Sequence, residues 1–168
     1  MELPELPKTG MTKPEAEWLM AQAAALPEDA VIVHIGVAHG ASLLCSRAGN
    51  EMARIVGIDT RLDRVRLAEG VEDAVELIED DSRTLDFDGP VDWLFVDGAH
   101  DEGSVLADIL NWSERIPPGG VIAFHDYGNH KLRWCAGVKA AVDSWDWLGW
   151  QEVKAAGSIK AFRKVGVE

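Results

Sequence analysis

VDWLFVDGAHDEGSVLADILNWSERIPPGGVIAFHDY, residues 91–127, holds two apolar runs with one helical run between them. VDWLFVD (91–97) and GVIAFHD (120–126) are short and almost continuously apolar, the pattern of strands buried on both faces. Residues 102–115 place apolar side chains at helical spacing, and PPGG at 117–120 stops that helix and turns the chain back into the sheet. Strand, helix and strand in this order make a parallel unit.

The same alternation extends upstream. AVIVHI (30–35) reads as a buried strand, 41–48 as a helix, ARIVGID (53–59) as a strand, 61–68 as a short helix and AVELIE (74–79) as a strand. Before them, Thr12 and Glu15 have capping-box spacing around Pro14, and Ala16, Leu19, Met20 and Ala23 continue a helix over 13–26 that Pro27 ends. Downstream, a helix over 131–145 precedes WLGWQEV and SIKAFRKV, which alternate apolar and polar residues about Gly157 as an antiparallel hairpin does. The expected fold is therefore α/β: a Rossmann-like, doubly wound, mostly parallel sheet closed by a C-terminal antiparallel hairpin. One domain is expected over 1–168, with 1–27 as a helical lead and 28–165 as the core.

The 168 residues are 47% hydrophobic, enough for one sizeable core. The N-terminus lacks a basic stretch followed by an apolar one, and no apolar run approaches the roughly 20 residues that span a bilayer, so a cytoplasmic protein without membrane attachment is expected. Cys45 and Cys135 have no metal-ligand spacing around them and read as buried free thiols within helices. A net charge of −13 repels a phosphate backbone, which argues against nucleic acid as partner. The cluster Arg61, Arg64 and Arg66 is interleaved with Asp63 and Glu69, the pattern of a solvated face.

Ligands of open α/β sheets bind beyond the carboxyl ends of the strands, where strand order reverses. At the first such end, His34-Ile35-Gly36-Val37-Ala38-His39-Gly40-Ala41-Ser42 lets Gly36 and Gly40 bring backbone close to a ligand, with a helix N-terminus following. Asp59, about 20 residues on, ends the next strand where a carboxylate accepts ribose hydroxyls. Asp81 and Ser82 follow the third strand and could hold an adenine edge; a solvated turn explains the pair as readily. A dinucleotide fingerprint needs glycine at its first, third and sixth positions, and Gly36, Ala38 and Ala41 meet it once, which disfavours NAD.

The Gly36/Gly40 spacing resembles motif I of the class I S-adenosylmethionine-dependent methyltransferases. That resemblance implies S-adenosyl-L-methionine as cofactor, cradled by Gly36 to Gly40 at its methionine end and by Asp59 at the ribose. His34, Ser42, Asp81, Ser82 and Asp97 complete the expected cofactor set; His34 stands where that family usually has an acid. Residues 91–127 also resemble the small group containing macrolide and aminocoumarin sugar O-methyltransferases and cephalosporin-biosynthesis proteins, a likeness spanning 28–165. It implies a divalent cation, Mg2+ or Mn2+, on Asp97, His125 and Asp126, and the imidazole would favour manganese or iron over magnesium. His100, three residues after Asp97, matches the catalytic basic group of catechol O-methyltransferase-like enzymes. The expected activity is methylation of a small-molecule hydroxyl, with His100 as base.

Three alternatives stay open: a cofactor-binding module without transfer, an enzyme cleaving the cofactor without an acceptor and, weakest, a nicotinamide oxidoreductase. The chain carries little beyond the sheet and lead helix, so a homo-oligomer could complete the pocket wall. Asp108 reads either as a buttress of the site or as a solvent-facing helix residue. Trp134, Trp145, Trp147 and Trp150 are expected to pack in the core and cover the edge strand, with stacking on a substrate as the minor alternative.

Overall fold

Successive residues of a strand face opposite sides of a sheet, so runs such as Ile32-Val33 and Phe95-Val96 need cover on both sides. A computed structural model, describing residues 2–7, 9–67, 75–129 and 132–166, supplies that cover. Its seven-stranded sheet contains β1 (Val31–Ile35), β2 (Arg54–Asp59), β3 (Glu76–Glu79), β4 (Trp93–Val96), β5 (Val121–Phe124), β6 (Trp150–Val153) and β7 (Lys160–Lys164), in the order β3-β2-β1-β4-β5-β7-β6. The first five strands run parallel, and β7 lies antiparallel to both β5 and β6.

Helices α1 (Lys13–Ala24) and α2 (Ala41–Gly49) cover one face, where Leu19 and Leu43 pack with Ile32, Ile55, Trp93 and Phe95. Helices α3 (Glu102–Trp112) and α4 (Ala136–Ser144) cover the other, where Ile109 and Val142 pack with Val33, Val56, Leu94 and Val96. The alternation along each strand assigns its residues to the two clusters, which is why the strands read as continuously apolar. Among the described residues no helix is long and apolar enough to cross a membrane.

β1 pairs with β2 on one side and β4 on the other, Val33 lying level with Val56 and Leu94. The chain thus leaves β1 for β2 and later crosses back to β4, and the reversal opens a crevice beyond the ends of these strands.

Two local expectations change. The helix expected over 61–68 is a single 3-10 turn, Leu62–Arg64, held by an Arg61–Asp63 ion pair and by the Glu79 carboxylate accepting from the Leu62 N–H. Residue 68, like the Ala74 start of the third expected strand, lies outside the described residues. Cys135 is buried, as is Cys45, but it sits in a 3-10 turn, Arg133–Cys135, just ahead of α4 rather than within a helix. The first residue of that expected helix, 131, also lies outside the described residues.

Candidate active site

The crevice is possible because Gly36 follows β1. Its φ is +88°, and a Cβ there would lie 2.2 Å from the Asp97 carbonyl oxygen, so the turn after β1 crosses the end of β4 at backbone contact. Only glycine meets both demands. The Gly36 N–H donates to the Ile58 carbonyl at 2.8 Å, tying the same turn to β2. At the end of β2, the Asp59 carboxylate accepts from the backbone N–H groups of Val37 (3.1 Å) and Arg61 (3.0 Å). Two amides therefore aim this carboxylate into a cleft of about 420 Å3 that Gly36, Asp59, Asp81, Ser82, Asp97 and Asp108 help to line.

A second cavity, about 270 Å3, adjoins the first. It is lined by Met11, Ser42, Asp97, His100, His125, Asp126 and Trp134, and it shares Gly36, Val37, Ala38 and Asp97 with the cleft. Asp126, two residues beyond β5, has a φ of +60°, uncommon for a residue with a Cβ. That conformation accompanies a carboxylate whose Oδ2 accepts from His100 Nε2 at 3.0 Å and whose Oδ1 accepts from Asn129 Nδ2 at 2.8 Å. Hydrogen bonds from His100 and the proximity of His125 hold Asp126 well below the usual carboxylate range despite burial. An ionised carboxylate only accepts, so His100 donates to it from Nε2.

His125 is buried with three carboxylates around its ring. Nδ1 lies 3.2 Å from Asp97 Oδ1 and 3.4 Å from Asp126 Oδ2, and Nε2 lies 3.6 Å from Glu15 Oε2. Neither nitrogen makes a hydrogen bond, so these contacts are ion pairs without hydrogen-bond geometry. Burial would lower the His125 pKa, but Asp126, Asp97 and Glu15 prevail and push it up to about 12. Glu15 itself is ionised: burial opposes this, and His125, Ser158 and Thr12 outweigh the burial.

Asp97, His125 and Asp126 each present a ligand atom, all within 4.8 Å of one another, and His100, Asp126 and Cys135 form a second such group. A buried imidazole nitrogen without a hydrogen bond, facing two carboxylates, fits a divalent cation. Two carboxylates with an imidazole suit manganese or iron better than magnesium.

Of the cofactor residues expected from sequence, the structure gathers Gly36, Asp59, Asp81, Ser82 and Asp97 at the cleft. Gly40, with φ +76°, is the residue before α2 and turns the chain into it. Ser42 lines the second cavity rather than the cleft. His34 is the clear correction. It is 0% exposed, its Nε2 pairs with the Ser46 hydroxyl at 2.9 Å, and its ring packs on Trp93 and Phe95. Position 34 faces α2 because β1 alternates, so its side chain is core, and burial lowers its pKa to about 3.

The side chains of Asp81 and Ser82 are already engaged. Asp81 pairs with Arg83, and the Ser82 hydroxyl donates to Asp108 at 2.6 Å. Asp108 is 2% exposed, which rules out a solvent-facing residue, and it supports Ser82 after β3 rather than the loop after β4. Of the four tryptophans, Trp145, Trp147 and Trp150 pack against the core, Trp147 stacking on Phe162 at 3.9 Å between centroids. Trp134 departs from expectation: it is 57% exposed and meets His100 edge-to-face at 4.5 Å, at the rim of the second cavity. Glu15 was legible only as a capping residue, since nothing in its spacing signals the strand end it reaches.

Comparison with known proteins places residues 33–127 in a family described as a methyltransferase domain. An S-adenosylhomocysteine-bound methyltransferase from Podospora anserina superposes with a TM-score of 0.70 at 19% identity, over 93% of this chain and 80% of that one. An rRNA methylase from Streptococcus thermophilus gives 0.66 at 16% identity, over 94% and 100%. The TDP-rhamnose 3′-O-methyltransferase of calicheamicin biosynthesis gives 0.62 at 18% identity, over 88% and 76%. No curated protein matches the sequence significantly.

Proposed function

The chain belongs to the methyltransferase-domain family; on that premise we propose that it is a class I S-adenosylmethionine-dependent methyltransferase that methylates a hydroxyl of a small molecule, aided by a divalent cation. The observation that carries this reading is that the Asp59 cleft and the His100 cavity share Gly36, Val37, Ala38 and Asp97. A methyl donor in the one and an acceptor in the other would meet at the end of β4.

Asp59 would accept the ribose hydroxyls, the Gly36 turn would pass under the methionine part, and Asp97, His125 and Asp126 would hold the cation. S-adenosylmethionine supplies an electrophilic methyl on a sulfonium sulfur, and the cation supplies positive charge that lowers the pKa of a bound hydroxyl. As the base, His100 would take the hydroxyl proton on Nδ1, the nitrogen not engaged by Asp126, while Asp126 on Nε2 would stabilise the imidazolium that forms. Trp134 and Met11 would wall the acceptor's apolar body. The net charge of −13 and the carboxylates around both cavities favour a neutral acceptor over a nucleic acid.

The test is turnover of methyl-labelled cofactor with phenols, catechols and sugars, with Mn2+, with Mg2+ and with chelator. Label on an acceptor hydroxyl, matched by S-adenosylhomocysteine and lost with chelator, supports the proposal. Turnover indifferent to chelator removes the cation and leaves the base. Tight cofactor binding without turnover selects the binding-module alternative, and methylthioadenosine released without acceptor selects cleavage.

A further inference from the structure

Glu15 sits in the first turn of α1, yet it is 2% exposed and lies against the end of β5. Its carboxylate accepts four hydrogen bonds: Oε2 from the Thr12 N–H (2.7 Å) and hydroxyl (2.8 Å), Oε1 from the Ser158 N–H (2.7 Å) and hydroxyl (2.8 Å). The turn between β6 and β7 closes directly on it, since a Cβ at Gly157 would lie 2.3 Å from Glu15 Oε1. Helix capping needs only the contacts to Thr12 and is ordinarily satisfied at a solvated surface. A carboxylate taken out of water and held at one oxygen by Thr12 and at the other by Ser158, 143 residues further along the chain than Glu15, does more than cap a helix. What remains near Oε2 is His125 Nε2, at 3.6 Å.

From this arrangement we infer that Glu15 is a positioning residue for His125, facing Nε2 so that Nδ1 is presented to Asp97 and Asp126 as a cation ligand. The inference rests on the cation reading above. A histidine ligand is generally oriented by a carboxylate or carbonyl on its other nitrogen, which sets the tautomer and raises ligand basicity. In this chain the orienting group comes from the lead helix and is clamped by the C-terminal hairpin, so both ends of the sequence support a ligand at the centre of the sheet.

The experiment is calorimetric titration of the full chain and of Glu15→Gln with Mn2+, with S-adenosylhomocysteine as a second ligand. Glu15→Gln should weaken Mn2+ binding about 10- to 100-fold and leave nucleoside affinity unchanged. Asn50→Ala, which removes hydrogen bonds remote from the site, should lower the melting temperature without moving Mn2+ affinity. Equal Mn2+ affinity in Glu15→Gln and the parent chain overturns the inference while the cation reading stands. No Mn2+ binding to the parent chain overturns both. Should Glu15→Gln not fold, long-range 1H–15N NMR of the unsubstituted protein with Zn2+ as a diamagnetic probe decides: a proton on His125 Nε2 and metal on Nδ1 is expected, and the reverse tautomer overturns it.

Discussion

The two halves of the crevice are built differently. The half beyond β1 and β2 is a backbone turn beside the Asp59 carboxylate, which two amides fix. The half beyond β4 and β5 is a knot of titratable side chains in which Glu15, Asp97, His100, His125 and Asp126 lie within ion-pair distance of at least one other. A nucleoside is a constant ligand that needs shape and a few hydrogen bonds, whereas moving a proton and a methyl group needs charge arranged in a water-poor space. In the first half substitutions should change affinity, and in the second they should change rate.

The largest effect expected is on rate. His100→Ala should reduce methyl transfer on the order of 100- to 10,000-fold and leave S-adenosylhomocysteine affinity nearly unchanged in single-turnover and calorimetric assays. Full activity would remove His100 as base, and a large loss of affinity would break the division between the halves.

Asp59→Ala should do the reverse. Losing a charged acceptor for two hydroxyls should weaken nucleoside binding roughly 10- to 100-fold, measured by calorimetry on protein shown by circular dichroism to be folded. Unchanged affinity would remove the ribose assignment.

A smaller effect sharpens the comparison through the buried carboxyl of the cofactor half. Burial, opposed by the Ser82 hydroxyl and aided by Asp81, pushes Asp108 up to about 6. A carboxyl whose folded pKa is raised above its unfolded value of about 3.9 binds its proton more tightly when folded. Its contribution is therefore full below pH about 4 and is lost as pH rises to about 6. Asp108→Asn mimics the protonated form and should be more stable than the parent at pH 7 by on the order of 2 kcal/mol, the advantage vanishing near pH 4. Urea melts across that range check it, and parallel stability curves would show that Asp108 is not desolvated.

The architecture was readable because period-two and helical patterns are local; Asp97, His125 and Asp126, grouped in sequence only by the family resemblance, do lie together beyond β4 and β5. The same local reading failed at His34, where proximity to Gly36 suggested the cofactor. A single residue step along a strand reverses the side-chain direction, and position 34 points into the α2 face. It also failed at residues 61–68, where an apolar-polar mixture resembled a helix but Arg61, Asp63 and Glu79 hold a single turn. Trp134 resembled its three companions in sequence, and only the placement of the turn before α4 sets it beside His100.

By itself the sequence determined the order of strands and helices, the hairpin that closes the sheet and the glycine turn that lets a ligand approach. Each depends on interactions among residues near in the chain or on a repeating burial pattern. Tertiary structure alone decided that Ser158 holds Glu15 against His125, that Ser82 is bound to Asp108, and that the Asp59 cleft and the His100 cavity share Asp97 as a wall. Such contacts join segments whose separation carries no periodicity, and they exist only once both faces of the sheet are covered and water is excluded from the strand ends.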